Sequence, residues 1–256
     1  MDCPRFGGSH YYNYKGFHST VLMAICDANY RFTYVNIGSY GRDNDASIFS
    51  RSDIYEKFDS NQTNVPAPKP VAPSAQNALP YYLVADEIFA LKTWLMKPFP
   101  GRGLTQNEQV FNYRLSRARR TIENAFGILS ARWRVFMRPI RADVSTVDMI
   151  VKACVCLHNY LLSTENARYV PSGFVDSFDT GGMVEGDWRK IVHEDATPAL
   201  THPGRMATRN YTMDAKSVRE SIADYVNSAE RLERCPWQIE HVTSTGKRWI
   251  SNRDAQ

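Results

Sequence analysis

Two acidic residues, Asp86 and Glu123, stand out by their position in the chain. Asp86 closes the short apolar run 81–85, which lacks polar alternation and so reads as a strand covered on both faces. In open α/β sheets, ligands gather just beyond strand ends. Glu123 is the only acid within residues 114–141. Helical spacing sets Arg119 and Arg120 beside it, at i−4 and i−3, and Ile122 and Phe126 put it at the rim of an apolar stripe. Asp45 follows the polar loop 38–44 at the head of a helical pattern. A carboxylate at a strand end and another on a docked helix are hard oxygen donors. They suit Mg²⁺ or Mn²⁺, which keep open positions for phosphate oxygens. Two such ions ~4 Å apart serve both the attacking and the leaving oxygen of a phosphoryl displacement. Each acid also has a plainer reading. Glu123 can pair with Arg119 for ~0.3–0.5 kcal/mol, Asp86 can be a strand-end turn residue, and Asp45 can be a helix N-cap.

The same stretch 114–141 holds eight arginines (114, 117, 119, 120, 132, 134, 138 and 141) and no lysine, a local charge of +7. The whole chain carries +4, so the remainder sums to −3. Arg forks onto phosphate as Lys cannot, and a concentrated basic patch on a near-neutral chain points to nucleic acid. Arg114, Arg117, Arg119, Arg120, Arg132 and Arg134 are the candidate phosphate contacts. A solvated, salt-bridged helix face is the alternative.

The elements that must position these groups follow from periodicity. Of the 256 residues 43% are hydrophobic and 23% charged, ordinary globular composition that excludes wholesale disorder. The longest apolar run, 21–26, is far short of the ~20 residues of a membrane span. Five cysteines without a Cys-x-x-Cys pair argue for reduced thiols inside a cell. Residues 17–37 read as a hairpin turning at 27–29, and 45–58 as a helix. Five prolines within 59–80 mark a semi-extended surface insertion. A long helix over 107–135 carries the stripe Leu115, Ala118, Ile122, Phe126, Leu129, and another spans 146–162. Residues 163–212 lose periodicity and read as an irregular wrap. Asp214 can cap a last helix to about residue 232, and the final dozen residues read as frayed.

Several segments in order resemble one family. They are Asn13-Tyr-Lys-Gly-Phe-His-Ser-Thr-Val-Leu-Met-Ala, Asp27-Ala-Asn-Tyr-Arg-Phe, Gly41-Arg-Asp-Asn-Asp45-Ala-Ser-Ile-Phe, Leu79-Pro-Tyr-Tyr-Leu-Val-Ala-Asp86, Phe111 through Glu123-Asn-Ala-Phe-Gly, and Leu157-His-Asn. Together they resemble PIF/Harbinger transposases and the harbinger transposase-derived nucleases. The likeness covers about residues 3–162 and continues weakly through Gly173-Phe-Val-Asp and the last helix. It implies an α/β, RNase H-like mixed sheet flanked by helices over 1–162, its first strand missing or incomplete, followed by the wrap and helix of 163–256. It implies a DDE-type endonuclease that uses a divalent metal on DNA. Asp45, Asp86 and Glu123 fall on family acids, and 36 residues separate the last two. The resemblance further implies a nuclear protein (the cytoplasm being the alternative), a separate Myb-like DNA-binding partner, and self-association.

One departure matters. Family members open this domain with a strand bearing an Asp-Gly or Asp-Cys pair, whose Asp is the first acid of the triad. Aligning Asn13 to Phe17 sets that position ahead of Met1, and Asp2-Cys3 lies too close to Asn13 to replace it. The helix-turn-helix region usually found upstream has no counterpart. The expectation is an N-terminally truncated chain with impaired cleavage. The alternative is an inactive domesticated remnant that binds DNA or a protein. Other features carry less. His158 with Cys154 reads as a satisfied core histidine, Cys154-x-Cys156 lacks metal or redox spacing, and His18 has no evident partner. Tyr11, Tyr12 and Tyr14 suit base stacking or β structure equally.

Overall fold

The computed structural model describes residue 1 and residues 7–71, 78–179, 182–194 and 211–244. In chain order the elements are β1 (Thr20–Cys26), β2 (Phe32–Tyr40), α1 (Asp45–Ser50), α2 (Asp53–Asp59), β3 (Lys69–Pro70), β4 (Ala78–Leu79), β5 (Leu83–Val84) and β6 (Leu95–Met96). There follow α3 (Gln106–Arg132), α4 (Val144–Thr164), α5 (Asn166–Tyr169), β7 (Ser177–Asp179), β8 (Gly182–Val184), α6 (Asp187–Glu194), α7 (Met213–Val226), α8 (Ala229–Arg234) and α9 (Trp237–Ser244). The chain is mixed α/β. It forms two compact units, 1–62 with 120–206 and 63–119 with 207–256, and the division falls inside α3. Among the described residues every sheet is two-stranded, and no helix is long and apolar enough to cross a membrane.

In the first unit, β1 and β2 form the expected antiparallel hairpin. Asp27 shapes its turn by accepting from the backbone N–H groups of Asn29 and Arg31. A bulge leaves Gly38 between Leu22↔Ile37 and Val21↔Ser39. Its φ of 101° requires glycine, and a Cβ there would run into the carboxylate of Asp148. The hairpin's Phe32 packs with Ala125 and Leu129 of α3, Phe136, and Val147, Val151, Cys154 and Val155 of α4. Asp143 caps α4 by accepting from Ser145 Oγ and Thr146 N–H, which pulls its carboxyl down to about 2. His158 lies fully buried in α4. It is a satisfied core histidine, 2.9 Å from the Tyr30 carbonyl through Nε2 and 3.0 Å from the Tyr169 hydroxyl through Nδ1.

The second unit is built on a core of Leu79, Leu91, Met96, Phe99, Phe111, Leu115, Ala215, Ile222 and Ala223. The proline-rich stretch closes into the small β3–β4 pair, with 72–77 outside the described residues. β5 and β6 are parallel, with Leu83↔Leu95 and Val84↔Met96 in register.

Several boundaries differ from the sequence reading, each for a local reason. Asn44 caps α1 by accepting from Ser47 N–H, so Asp45 is the first helical residue rather than the cap. The expected helix 45–58 breaks at Arg51, because Ser52 caps α2 anew. The strand 81–85 shrinks to two residues, and Tyr81 and Tyr82 stay exposed. On α3, Ala118 is exposed while Ala125, Ile128 and Leu129 are fully buried. The stretch read as a wrap holds α5, the β7–β8 hairpin and α6, with 195–210 outside the described residues. Thr212, not Asp214, caps α7, and Ser228 restarts the chain as α8. The final dozen residues lie outside the described set.

Gly127 of α3 faces the Trp188 indole, and a Cβ would overlap its ring. Trp188 cannot retreat freely, since its Nε1 donates to Asn124 Oδ1 at 3.0 Å and Arg189 lies over its ring. Gly127→Ala gains ~1 kcal/mol of helix propensity but overpacks a fixed aromatic, at ~1–3 kcal/mol. The expected outcome is a net loss of about 1 kcal/mol, read as a lower urea midpoint with unchanged slope.

Candidate active site

Asp86 sits in the second unit, where the chain leaves β5. Its Oδ2 accepts from Arg119 Nη2 at 2.9 Å, and both side chains are about three-quarters covered. Its Oδ1 accepts from the backbone N–H of Ile88 at 3.4 Å. The loop after it is pinned by Lys97, which follows β6. That ammonium is buried and donates to the carbonyls of Phe89 (2.8 Å) and Glu87 (3.2 Å). Burial and the nearby Arg219 charge hold the Lys97 pKa below the usual lysine range, partly offset by Glu87 and Asp86.

Glu123 belongs to the first unit. Its Oε2 accepts from Arg120 Nη1 at 3.0 Å, one helical turn back. The pair is part of a larger network around Asp176, whose side chain is fully buried. Asp176 Oδ1 accepts from Arg189 Nε and from the Gly186 backbone, both at 2.9 Å, and Oδ2 accepts from Arg189 Nη2 at 2.6 Å. Arg120 Nη1 is 3.7 Å from the same Oδ2. Asn124 locks the backbone of Asp176 from both sides, accepting from its N–H and donating to its carbonyl. Gly186 is required there, because a Cβ would strike the backbone of Phe174 and Val175. Burial pushes the Asp176 carboxyl up. The Arg189 and Gly186 hydrogen bonds and the two guanidinium charges outweigh that and hold it below the usual range. Arg189 is pushed up in turn by its bond to Asp176.

Asp45 opens α1 and is half-buried. Burial, with the Asp45 charge as the smaller cause, raises the Tyr14 hydroxyl pKa. The neighbouring Asp43 is occupied by Arg51 at 2.8 Å.

The arginines divide into two sets. Arg119 and Arg120 hold the acids described above. Arg114 donates from Nε to Gln238 Oε1 at 2.6 Å, Arg117 lies over the Tyr113 ring, and Arg132 donates to the Tyr169 carbonyl while stacking 4.2 Å from the Phe174 centroid. Arg134, Arg138 and Arg141, in and beyond the short 3-10 turn Arg134–Met137, face solvent. The basic stretch is thus partly a set of structural cations and partly an exposed cationic strip.

The acids offer only oxygen donors, the right chemistry for a hard divalent cation. One or two carboxylates completed by water and phosphate oxygens is an ordinary Mg²⁺ arrangement. Among the described residues no group of three or more His, Cys, Asp or Glu gathers to hold a metal. The described cysteines are all free thiols, and burial, with the Asp27 charge, pushes Cys26 up to about 12. The sequence reading passed over Lys97, Asp176 and Arg189. Lys97 carried a signal, a lone charge directly after the apolar pair Leu95-Met96. Asp176 lay in the weakly matching Gly173-Phe-Val-Asp segment but had no periodic element to place it.

The chain is 28% identical over 149 residues to "Protein ALP1-like" of Arabidopsis thaliana, covering 58% of this chain and 36% of that protein. It is 25% identical over 165 residues to "Putative nuclease HARBI1" of Homo sapiens, covering 63% and 43% respectively. It therefore spans about two fifths of the length of these relatives. No solved structure matches it significantly. Residues 4–159, which include Asp45, Asp86 and Glu123, match the family described as DDE superfamily endonuclease. With more than half of its length inside that match, the chain belongs to the DDE superfamily endonucleases.

Proposed function

We propose that this chain is a transposase-derived DNA endonuclease domain of RNase H-like architecture that hydrolyses phosphodiesters with a divalent cation. Asp86 and Glu123 would ligate Mg²⁺ or Mn²⁺, with Asp45 assisting. The observation that carries the reading is the family match over residues 4–159, the span in which all three acids lie. It is supported by the ionic setting of two of them, since Asp86 and Glu123 each meet a guanidinium of α3. When bound, the cation supplies Lewis-acid charge at the phosphoryl oxygens. The protein's own residues do the rest. Arg134, Arg138 and Arg141 hold backbone phosphates. Lys97 fixes the loop that carries Asp86. A nuclear location, a Myb-like DNA-binding partner and self-association accompany this proposal as implications of the resemblance.

A second reading has its own support. The ion pairs that neutralise Asp86 and Glu123 are compatible with a module that binds DNA, or a protein, without cutting. One experiment separates the two. The purified chain is incubated with supercoiled plasmid at low salt, with Mg²⁺ or Mn²⁺ and then with chelator. Nicking that the chelator abolishes supports the nuclease. Salt-sensitive binding without nicking supports the binding module. Absence of DNA binding at low salt removes the nuclease reading and leaves only a protein partner for the module.

A further inference from the structure

Glu123 stands beside more positive charge than one salt bridge supplies. Arg120 donates to it at 3.0 Å, and the Arg189 guanidinium is close enough for the two charges to perturb each other. Both guanidiniums are tied to one fully buried carboxylate, Asp176. Glu185 is a further acid whose charge reaches Arg189, whereas Arg120 is shared between Glu123 and Asp176. A divalent cation arriving at Glu123 would meet the Arg120 guanidinium already bonded to the same carboxylate. Positive charge must therefore move away from Glu123 for a cation to bind there. Arg189 is the poor candidate, since it is held at two nitrogens, Nε and Nη2, and lies over the Trp188 ring. Arg120 is the good one. Its guanidinium is partly exposed, its bond to Glu123 uses a single nitrogen, and that nitrogen already lies 3.7 Å from Asp176 Oδ2. A small rotation closes that gap while opening the other.

We propose that Arg120 is a displaceable counter-ion of Glu123, in competition with a divalent cation, and that Asp176 is the positioning residue that takes Arg120 up when it lets go. Asp176 itself touches neither metal nor substrate. It acts through Arg120, with Arg189 as the fixed cation that keeps a buried carboxylate charged. The inference rests on the reading of Glu123 as a metal ligand given above, and it gives α3 a resting state in which the acid is covered.

The test is Mn²⁺ binding to the full chain in the absence of DNA, followed by titration calorimetry at low salt. Arg120→Gln removes the competitor and is expected to tighten Mn²⁺ binding by about tenfold. Asp176→Asn keeps the shape of the side chain but takes away the alternative seat, and is expected to weaken binding by about tenfold. Because Asp176 works through Arg120, most of that loss should vanish when both changes are combined, so that the double variant resembles Arg120→Gln alone. Simple additivity would mean that Asp176 acts by its own charge, and overturns its assigned role. An Arg120→Gln chain with parental affinity overturns the competition itself, and that measurement decides the matter even if Asp176→Asn folds poorly. Glu123→Gln separates the two levels of argument. If the parent binds no Mn²⁺, or if Glu123→Gln leaves the affinity unchanged, Glu123 is not a ligand and the functional reading falls with the inference. If Glu123→Gln abolishes binding while Arg120→Gln changes nothing, only the inference falls.

Discussion

Glu123→Gln is expected to lower metal-dependent DNA cleavage by about a thousandfold or more while leaving DNA binding at low salt intact. The substitution is nearly isosteric. It keeps an oxygen for Arg120, whose bond at 3.0 Å lies on a partly exposed helix surface, so the fold has little reason to respond. What it removes is one full negative charge from the proposed ligand set. A neutral amide is a poor ligand for a hard cation. Asp86→Asn should act in the same way. It keeps one acceptor oxygen, enough for the Arg119 bond at 2.9 Å, gives up the long 3.4 Å bond from Ile88, and removes the charge. Groups that act as a unit are strongly non-additive, so the double variant should be no worse than the worse single one. The measurement is the nicking rate of supercoiled plasmid in Mn²⁺, alongside binding of the same DNA in chelator. Losses that multiply would mean that the two acids serve separate steps. Unchanged nicking in either single variant would remove that residue from the catalytic set.

The largest effect on stability is expected at His158. Its ring is fully buried, and its partners fix the tautomer. The Tyr30 carbonyl can only accept, so Nε2 carries the proton. Nδ1 then accepts from the Tyr169 hydroxyl, whose oxygen accepts in turn from Trp133 Nε1 at 3.3 Å. The chain of bonds ties the hairpin turn to α4 and α5, and burial pushes the Tyr169 phenol up to about 12, so it stays a donor. His158→Ala opens a cavity against Phe32, whose ring centroid is 4.9 Å away, and orphans two polar atoms. Loss of about 3–4 kcal/mol is expected, a fall in Tm of roughly 6–16 °C for a chain of this size. The pH dependence has a definite sign. Burial lowers the His158 pKa, opposed in part by the Tyr30 bond. The unfolded chain therefore takes up the proton more readily than the folded one. The contribution of His158 is complete above its unfolded pKa of about 6.5. It is lost as pH falls through 6.5 toward the lower folded value. Thermal melts at pH 7.5 and 5.5 should show that slope in the parent and a smaller one in His158→Ala.

Some of this was written plainly in the residues. The hairpin, the two long helices and the buried histidine all announce themselves through alternation, 3.6-residue spacing or an apolar neighbourhood. The boundaries did not, because capping is decided by which side chain reaches which amide. Asn44 and Asp45 are equally good caps on paper, and only geometry selects Asn44. The arginines show the deeper limit. Eight of them with one nearby acid read as a free cationic face. Folding brings them Asp86 and Asp176 from distant parts of the chain, along with carbonyls and aromatic rings. Spacing within a helix cannot reveal a partner more than thirty residues away. The network around Asp176 was invisible for the same reason, since its segment carries no period and its partners come from α3 and α6.

The β1–β2 hairpin has a consequence for how this protein behaves at high concentration. Among the described residues β1 pairs along one edge only. Its sequence, Thr-Val-Leu-Met-Ala-Ile-Cys, holds no charge and no proline, the usual guards of an open edge. Such a strand is a template onto which a second molecule can add its own. A strand added there would extend the sheet by main-chain hydrogen bonds alone, since the seven side chains of β1 are already buried or half-buried.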